Sequence, residues 1–358
     1  MADESFAARE RAMLLRLEVG LADEGVRVVY AVPRSAMHWR GAGLSAQTVP
    51  YESRGLSVSR AWRVRRLVEA ARALQSSDEQ AFDLVHAFGE GCWTFAAETA
   101  RQTGAALALE VHSAQAAMTA ARRRPGAGAT LYLLPDAALE RPVRAGEPGV
   151  QARLTPWGVH TPGPPREGVR RGPAVVIDGG GADRPAMRAT LEGLAAVAAQ
   201  QPDLMIFADE GAAQGSGAWG AAQRLKLTDR FTLAPDIEAR RELALRGDIL
   251  VIPEARGEHR SLTLDAMAAG MLVIAAEDPF VSVLSDGRTA RLVRRPTAEA
   301  WRETFEWAIR EPAAARALAL SGREHVRLHC RASAHVAAVL GAYEWMTSGA
   351  SIPFEERV

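Results

Sequence analysis

Short apolar runs alternate with stretches of helical periodicity along this chain. "VRVVYAV" (26–32) is rich in β-branched residues and follows Gly25, which closes an amphipathic helical pattern over 6–24. "FDLVHAF" (82–88) predicts a second strand, and "ALALEVH" (106–112) a third, after the helical "TFAAETARQTG". "TLYLLP" (130–135) and "ARLTPWGV" (152–159) read as weaker strands. A connector with four prolines and three glycines, "HTPGPPREGVRRGP" (160–173), interrupts the pattern and predicts a boundary between two domains. The alternation then resumes. The strand "AVVIDGGG" (174–181) runs into glycines, and the helix "RPAMRATLEGLAAVAAQQP" follows it. The strands "LMIFADEG", "FTLAP", "DILVIPE" and "MLVIAAE" come next, and the remainder from about 298 to 346 is helical. Strands this apolar, separated by helices, predict an α/β chain with parallel sheets. Two such doubly wound domains would face an interdomain cleft, with ligands beyond the strand C-terminal ends.

Composition narrows the function. The 358 residues carry 43 basic and 43 acidic side chains, a formal net charge of zero, which argues against a nucleic-acid partner. No apolar run reaches the ~18 residues of a membrane span, so no transmembrane segment is expected, while peripheral membrane contact stays open. The opening residues lack a signal-peptide pattern, and two cysteines, Cys92 and Cys330, make no disulfide framework; the cytoplasm is the expected location. No cluster has metal-ligand spacing, so neither metal nor cofactor is expected. Lys226 is the single lysine, so a phosphate clamp must draw on arginine, histidine, backbone N–H groups or a helix N-terminus.

One stretch concentrates these groups. In "EHRSLTLDAMAAGMLVIAA" (258–276) a charged loop enters a small-residue helix, and an apolar strand follows. Ser261 is a good helix cap, and the first-turn N–H groups, including those of Ser261 and Leu262, favour an anion. Arg260 adds a positive charge. Asp265, one turn in, can accept hydrogen bonds from hydroxyls beside that anion. A phosphate next to vicinal hydroxyls describes a nucleotide diphosphate-sugar. The plain alternative is a solvated loop with Asp265 as a dipole partner of its own helix.

The segment "ILVIPEARGEHRSLTLDAMAAGMLVIAAEDPFVSVLSDGRTARLV" resembles the donor site of GT-B glycosyltransferases of the retaining family 4 type. The match lies at Pro253, Ala266-Met267-Ala268, Gly270, Val273, Ala275, Asp286-Gly287 and Leu292-Val293. "LEVGLADEGVRVVYAVP", "FDLVHAFG", "ALALEVHS", "LTPWGVH" and "LKLTDRFTLAPDI" resemble further segments of that family in the same order. The resemblance implies a GT-B fold of two Rossmann-like domains. These are an acceptor-side domain over 1–165, a nucleotide-sugar-binding domain over 166–325, and a C-terminal helix over 326–358 that crosses back to the first. It implies metal-independent sugar transfer, with retention of configuration, to an acceptor that the sequence leaves unspecified among glycans, lipids and small molecules. Asp265 takes the place of a family glutamate and is expected to bind ribose. Glu258 is expected to contact the donor sugar, and His112, at the end of a strand, to approach the transferred sugar; these two are the candidate catalytic residues. Gly180, Gly181, Arg184, Arg260, Ser261 and Leu262 complete the expected donor-binding set.

The departures are equally specific. The family's first glutamate falls on Gly257, one place before Glu258. Its diphosphate-binding arginine and lysine fall near Gly181 and Ala186, which leaves Arg184 and Arg260 as replacements. The family's first strand and Gly-rich loop have no counterpart before the helical pattern, so either the start lies upstream of Met1 or that strand is lost. A degenerate GT-B protein, acting as a non-catalytic partner or regulatory subunit, is therefore the alternative function. His86, mid-strand, is expected to be structural, and His160, Trp157 and both cysteines carry no assigned chemistry.

Overall fold

The structure is a computed structural model, and it describes residues 1–35, 47–52, 59–74, 82–122, 130–146, 150–164, 172–179 and 181–348. The chain divides into two compact units, Met1–Trp157 with Ala332–Val358, and Gly158–Arg331. The middle of the proline-rich connector, 165–171, lies outside the described residues.

The first unit contains β1 (Val29–Pro33), β2 (Gln47–Tyr51), β3 (Leu84–Phe88), β4 (Ala106–Glu110), β5 (Thr130–Leu134) and β6 (Ala152–Leu154). They form two parallel ladders, β1-β2 and β3-β4-β5-β6. The helix Ala332–Thr347 belongs to this unit, and its Ala342 and Met346 share a buried cluster with Ala108, Leu131 and Leu133 of the sheet. It also lies close against the helix Arg11–Asp23. A Cβ on Gly20 would sit 2.3 Å from Val336 Cγ2, so only a glycine permits that approach. The single helix expected over 6–24 is two, Glu4–Arg9 and Arg11–Asp23, because the backbone leaves helical geometry at Glu10. Asp3 caps the first by accepting from Phe6 N at 2.8 Å.

The second unit is a single six-stranded parallel sheet. Its strands are β7 (Ala174–Ile177), β8 (Met205–Asp209), β9 (Phe231–Ala234), β10 (Ile249–Ile252), β11 (Leu272–Ala276) and β12 (Arg291–Val293), in the order β12-β11-β10-β7-β8-β9. Val175, Ile177, Val251 and Ile274 from the central strands are buried in one core with Leu191, Leu194, Trp301 and Phe305 from covering helices. Helices Arg184–Ala198 and Ala298–Arg310 meet at Gly193, where an added Cβ would lie 2.6 Å from Trp301 Cβ and 2.8 Å from Arg302 N. Burial on both faces explains why these strands read as continuous apolar runs.

Candidate functional site

In the second unit the chain leaves β7 toward β8 on one side, whereas it leaves β10 toward β11 on the other. The loops after β7 and β10 therefore part at the C-terminal edge of two neighbouring strands. In open α/β sheets this reversal of strand order is where a crevice forms for a ligand. The loop after β7 carries residues 178–183 and the loop after β10 residues 253–260, leading into the helix Ser261–Ala269.

Five charged side chains lock this edge together. Arg260, buried, extends to Asp178 at the end of β7, with Nη1 and Oδ1 3.0 Å apart and both side chains under a tenth exposed. Arg241, also buried, forms ion pairs with both Asp265 and Glu238, and its Nη2 donates to Ser261 Oγ at 3.0 Å. The helix begins at Ser261, so the cap position falls to Arg260, whose side chain makes no capping hydrogen bond; the Ser261 hydroxyl instead serves Arg241. Leu262 is buried. The helix dipole and Arg260 together favour negative charge at this point.

The remaining predicted residues spread over the surrounding loops. Gly181 has a left-handed φ of 71°, and an added Cβ would lie 2.3 Å from Ala212 O, so close packing and backbone geometry both require glycine. Gly180 lies outside the described residues. Arg184 is exposed at the start of its helix and donates from Nε to Gly215 O at 3.1 Å. Glu258 is half-buried. Its neighbour Gly257 has φ 63° and donates its N–H to Asp278 Oδ2 at 2.5 Å, while His259 Nε2 bonds Phe280 O at 2.9 Å. Glu254, which the sequence reading did not single out, stands against the glycine loop. It is buried, its Oε1 accepts from Asp183 N at 3.0 Å, and a Cβ on Gly179 would lie 3.7 Å from its carboxyl carbon.

The sequence reading missed Asp178, Glu238, Arg241 and Glu254. Asp178 and Glu254 had a signal, since each is the first acid after a buried strand that feeds the switch point. Glu238 and Arg241 lie just past the segment "LKLTDRFTLAPDI", and nothing in their spacing relates them to Asp265, 24 positions beyond Arg241.

His112 lies in the first unit, just past β4. It is half-buried, with its ring edge-on to Phe6 at 4.9 Å. Beside it runs a buried polar chain. His86 bonds Tyr343 Oη through Nδ1 at 2.8 Å and Glu110 through Nε2 at 3.3 Å, and Trp157 Nε1 donates to the other Glu110 oxygen at 2.6 Å. Burial holds His86 well below its usual pKa and brings His335 to about 4. Both imidazoles are therefore neutral at pH 7, and His86 ties the helix Ala332–Thr347 to the sheet through Tyr343. Burial also pushes the Cys92 thiol up to about 12 and the Cys330 thiol up to about 11, which leaves neither as a thiolate nucleophile. Among the described residues no group of three or more His, Cys, Asp or Glu side chains is arranged to hold a metal ion. Among them also, no helix is long and apolar enough to cross a membrane.

No protein-family model matches the chain, and no curated protein matches it. Solved structures do. Sucrose-phosphate synthase from Thermosynechococcus elongatus superposes with a TM-score of 0.71 at 17% identity, over 95% of this chain and 94% of that one. HepE from Anabaena, in complex with UDP and glucose, gives 0.71 at 12% identity over 95% and 98%. A putative UDP-N-acetylglucosamine 2-epimerase from Listeria monocytogenes gives 0.61 at 12% identity over 99% and 97%. At such identities the likeness establishes the fold: two Rossmann-like units of the GT-B glycosyltransferase architecture.

Proposed function

We propose that the chain is a glycosyltransferase that takes its sugar from a nucleoside diphosphate-sugar, without a catalytic metal and with retention of configuration. The observation that carries this reading is the arrangement at the strand-order reversal between β7 and β10. There a glycine-requiring loop and a helix start with a buried arginine at its cap share one edge. HepE, of the same fold, is known in complex with UDP and with UDP-glucose.

In this account the first-turn N–H groups at Ser261 and Leu262, with Arg260, take the charge that develops on the leaving diphosphate. Arg184, at the mouth of the neighbouring helix, is the second cation. Asp265 accepts from the ribose hydroxyls. The acidic group contacting the donor sugar is Glu258, and the catalytic role of His112 is carried by the family resemblance. The acceptor is a hydroxyl-bearing molecule in the soluble phase or at a membrane surface.

The test is turnover. Incubation with UDP-glucose, and with a panel of other nucleoside diphosphate-sugars, should release the nucleoside diphosphate slowly by hydrolysis, and the Arg260→Ala and Arg184→Ala variants should release less. No release from any donor by the parent protein, together with no nucleoside diphosphate binding, would remove the transferase reading. Release unchanged in both variants would remove these arginines from the mechanism.

A further inference from the structure

In the second unit the helix Pro312–His329 ends in "HVRLH", two histidines four positions apart. Its buried stripe, Ala315, Leu318, Gly322 and Val326, packs toward the helix Ser261–Ala269. Arg323 donates to Ala268 O, and a Cβ on Gly322 would lie 3.5 Å from Met267 Cε. His325 and His329 follow Gly322 by three and seven positions, at the edge of that stripe, where its cover gives out. His325 is half-buried and His329 exposed. Side chains at i and i+4 project from one face of a helix. The two rings accordingly lie side by side, with centroids 4.7 Å apart and planes tilted by 44°. Among the described residues neither ring has a hydrogen-bond or ion-pair partner.

This separation is the one a shared ion requires. An imidazole nitrogen ligates a divalent transition ion at about 2.0–2.1 Å, with the ring centre about 1.1 Å behind it, so two rings in adjacent positions on one ion have centres about 4.4–5.2 Å apart. The local charges also suit a cation. The last turn of a helix carries the negative end of its dipole. Arg327, in that turn, is paired with Glu324 at 2.6 Å. The charge of Arg288 reaches His325 and opposes the ion.

We propose that His325 and His329 chelate one borderline divalent transition ion, Cu2+ most tightly and Zn2+ less so, with water completing the coordination. Two imidazole nitrogens order ions in this way, and an oxygen-seeking ion such as Mg2+ finds no ligand here. The same spacing holds zinc in H-E-x-x-H helices, but Val326 stands where the catalytic glutamate would, so the ion is structural. The lack of a third ligand kept the pair out of the sequence reading. Chelation needs the helical backbone, so the ion binds the folded chain alone and staples the last turn of the helix. The pair shares no residue with the proposed donor set, and its test stands apart from that reading.

The untagged chain, stripped with EDTA, is titrated calorimetrically at pH 7.5 with the chlorides of copper(II), zinc and magnesium. The parent should bind one equivalent of Cu2+ or Zn2+, copper the tighter, and Zn2+ should raise its Tm. His325→Ala and His329→Ala should each weaken binding by about tenfold or more, since disturbing even an outer-shell partner costs that much. The double variant should lose the equivalent and the Tm rise, whereas Cys330→Ser should keep both. Alanine favours the helix and neither histidine is in the core, so the variants fold. Unchanged affinity in either single variant would overturn the proposal, because one ring alone would then hold the ion. A matching loss in Cys330→Ser would overturn it too, as would Mg2+ binding of equal strength, or Cu2+ and Zn2+ affinities in the parent no tighter than about 1 mM.

Discussion

Arg260→Ala should destabilise the second unit far more than a surface arginine substitution would. Asp178 is 2% exposed, and Arg260 is its side-chain partner among the described residues. Its second oxygen, Oδ2, is buried and makes no hydrogen bond there. Removing the guanidinium leaves a carboxylate in the interior with its charge uncompensated, which costs about 3–5 kcal/mol when one partner of a buried pair is deleted. For a unit of this size each kcal/mol moves Tm by about 2–4 °C, so the loss should be about 10 °C. The neutral double replacement, Asp178→Asn with Arg260→Met, removes both charges and should recover most of that loss. Urea denaturation of the two singles and the double forms a cycle whose interaction energy should reach about 2–3 kcal/mol. Additivity within about 0.5 kcal/mol, or an Arg260→Ala loss below about 1 kcal/mol, would show that water reaches the pair and that it does not hold the two loops together.

Asp265→Ala should weaken nucleoside diphosphate binding by about 1.5–3 kcal/mol, the range for a hydrogen bond to a charged group, while folding persists because Arg241 keeps Glu238 as partner; an unchanged dissociation constant by calorimetry sinks the ribose role. Gly193→Ala should lower stability by about 1–3 kcal/mol despite its better helix propensity, since its Cβ meets Arg302 backbone as well as Trp301; a variant melting at or above the parent temperature would contradict the packing. Burial, opposed by Glu110 and aided by His86 and Arg16, brings the folded pKa of the His335 imidazole to about 4 against an ordinary 6.5. The unfolded chain therefore takes up the proton first. Stability is fully present above pH 6.5 and falls by at most about 3 kcal/mol as pH drops from there toward 4. Urea melts from pH 7.5 to 5 should show that slope reduced in His335→Gln, and an identical slope in the variant would clear His335 of it.

Much of the fold is legible in the sequence because buried parallel strands are apolar without interruption. "AVVI", "ILVI" and "LVIAA" could hardly be read otherwise. The strands β2 and β12 escaped for physical reasons. "QTVPY" mixes polar residues with a proline and among the described residues pairs only with β1, and "RLV" is three residues long. The break at Glu10 escaped because the apolar pattern runs on through it, while Asp3, three residues ahead of Phe6, starts a separate short helix. The location of the site was readable from a strand, a charged loop and a helix in succession. Its wiring was not. Pairs such as Arg260–Asp178 and Arg241–Asp265 join loops that are adjacent only once β7 and β10 lie side by side, and no local period encodes that adjacency.

The central claim is that a nucleoside diphosphate seats where the loops after β7 and β10 part. Amide hydrogen exchange of the parent protein, with and without saturating UDP, measures it directly. Slowing confined to peptides covering 178–186 and 253–266 is the predicted result, because in the proposed function the backbone N–H groups of Gly181, Ser261 and Leu262 would bind the phosphates. Exchange unchanged in both peptides at saturation, or slowed only elsewhere in the chain, would contradict the account.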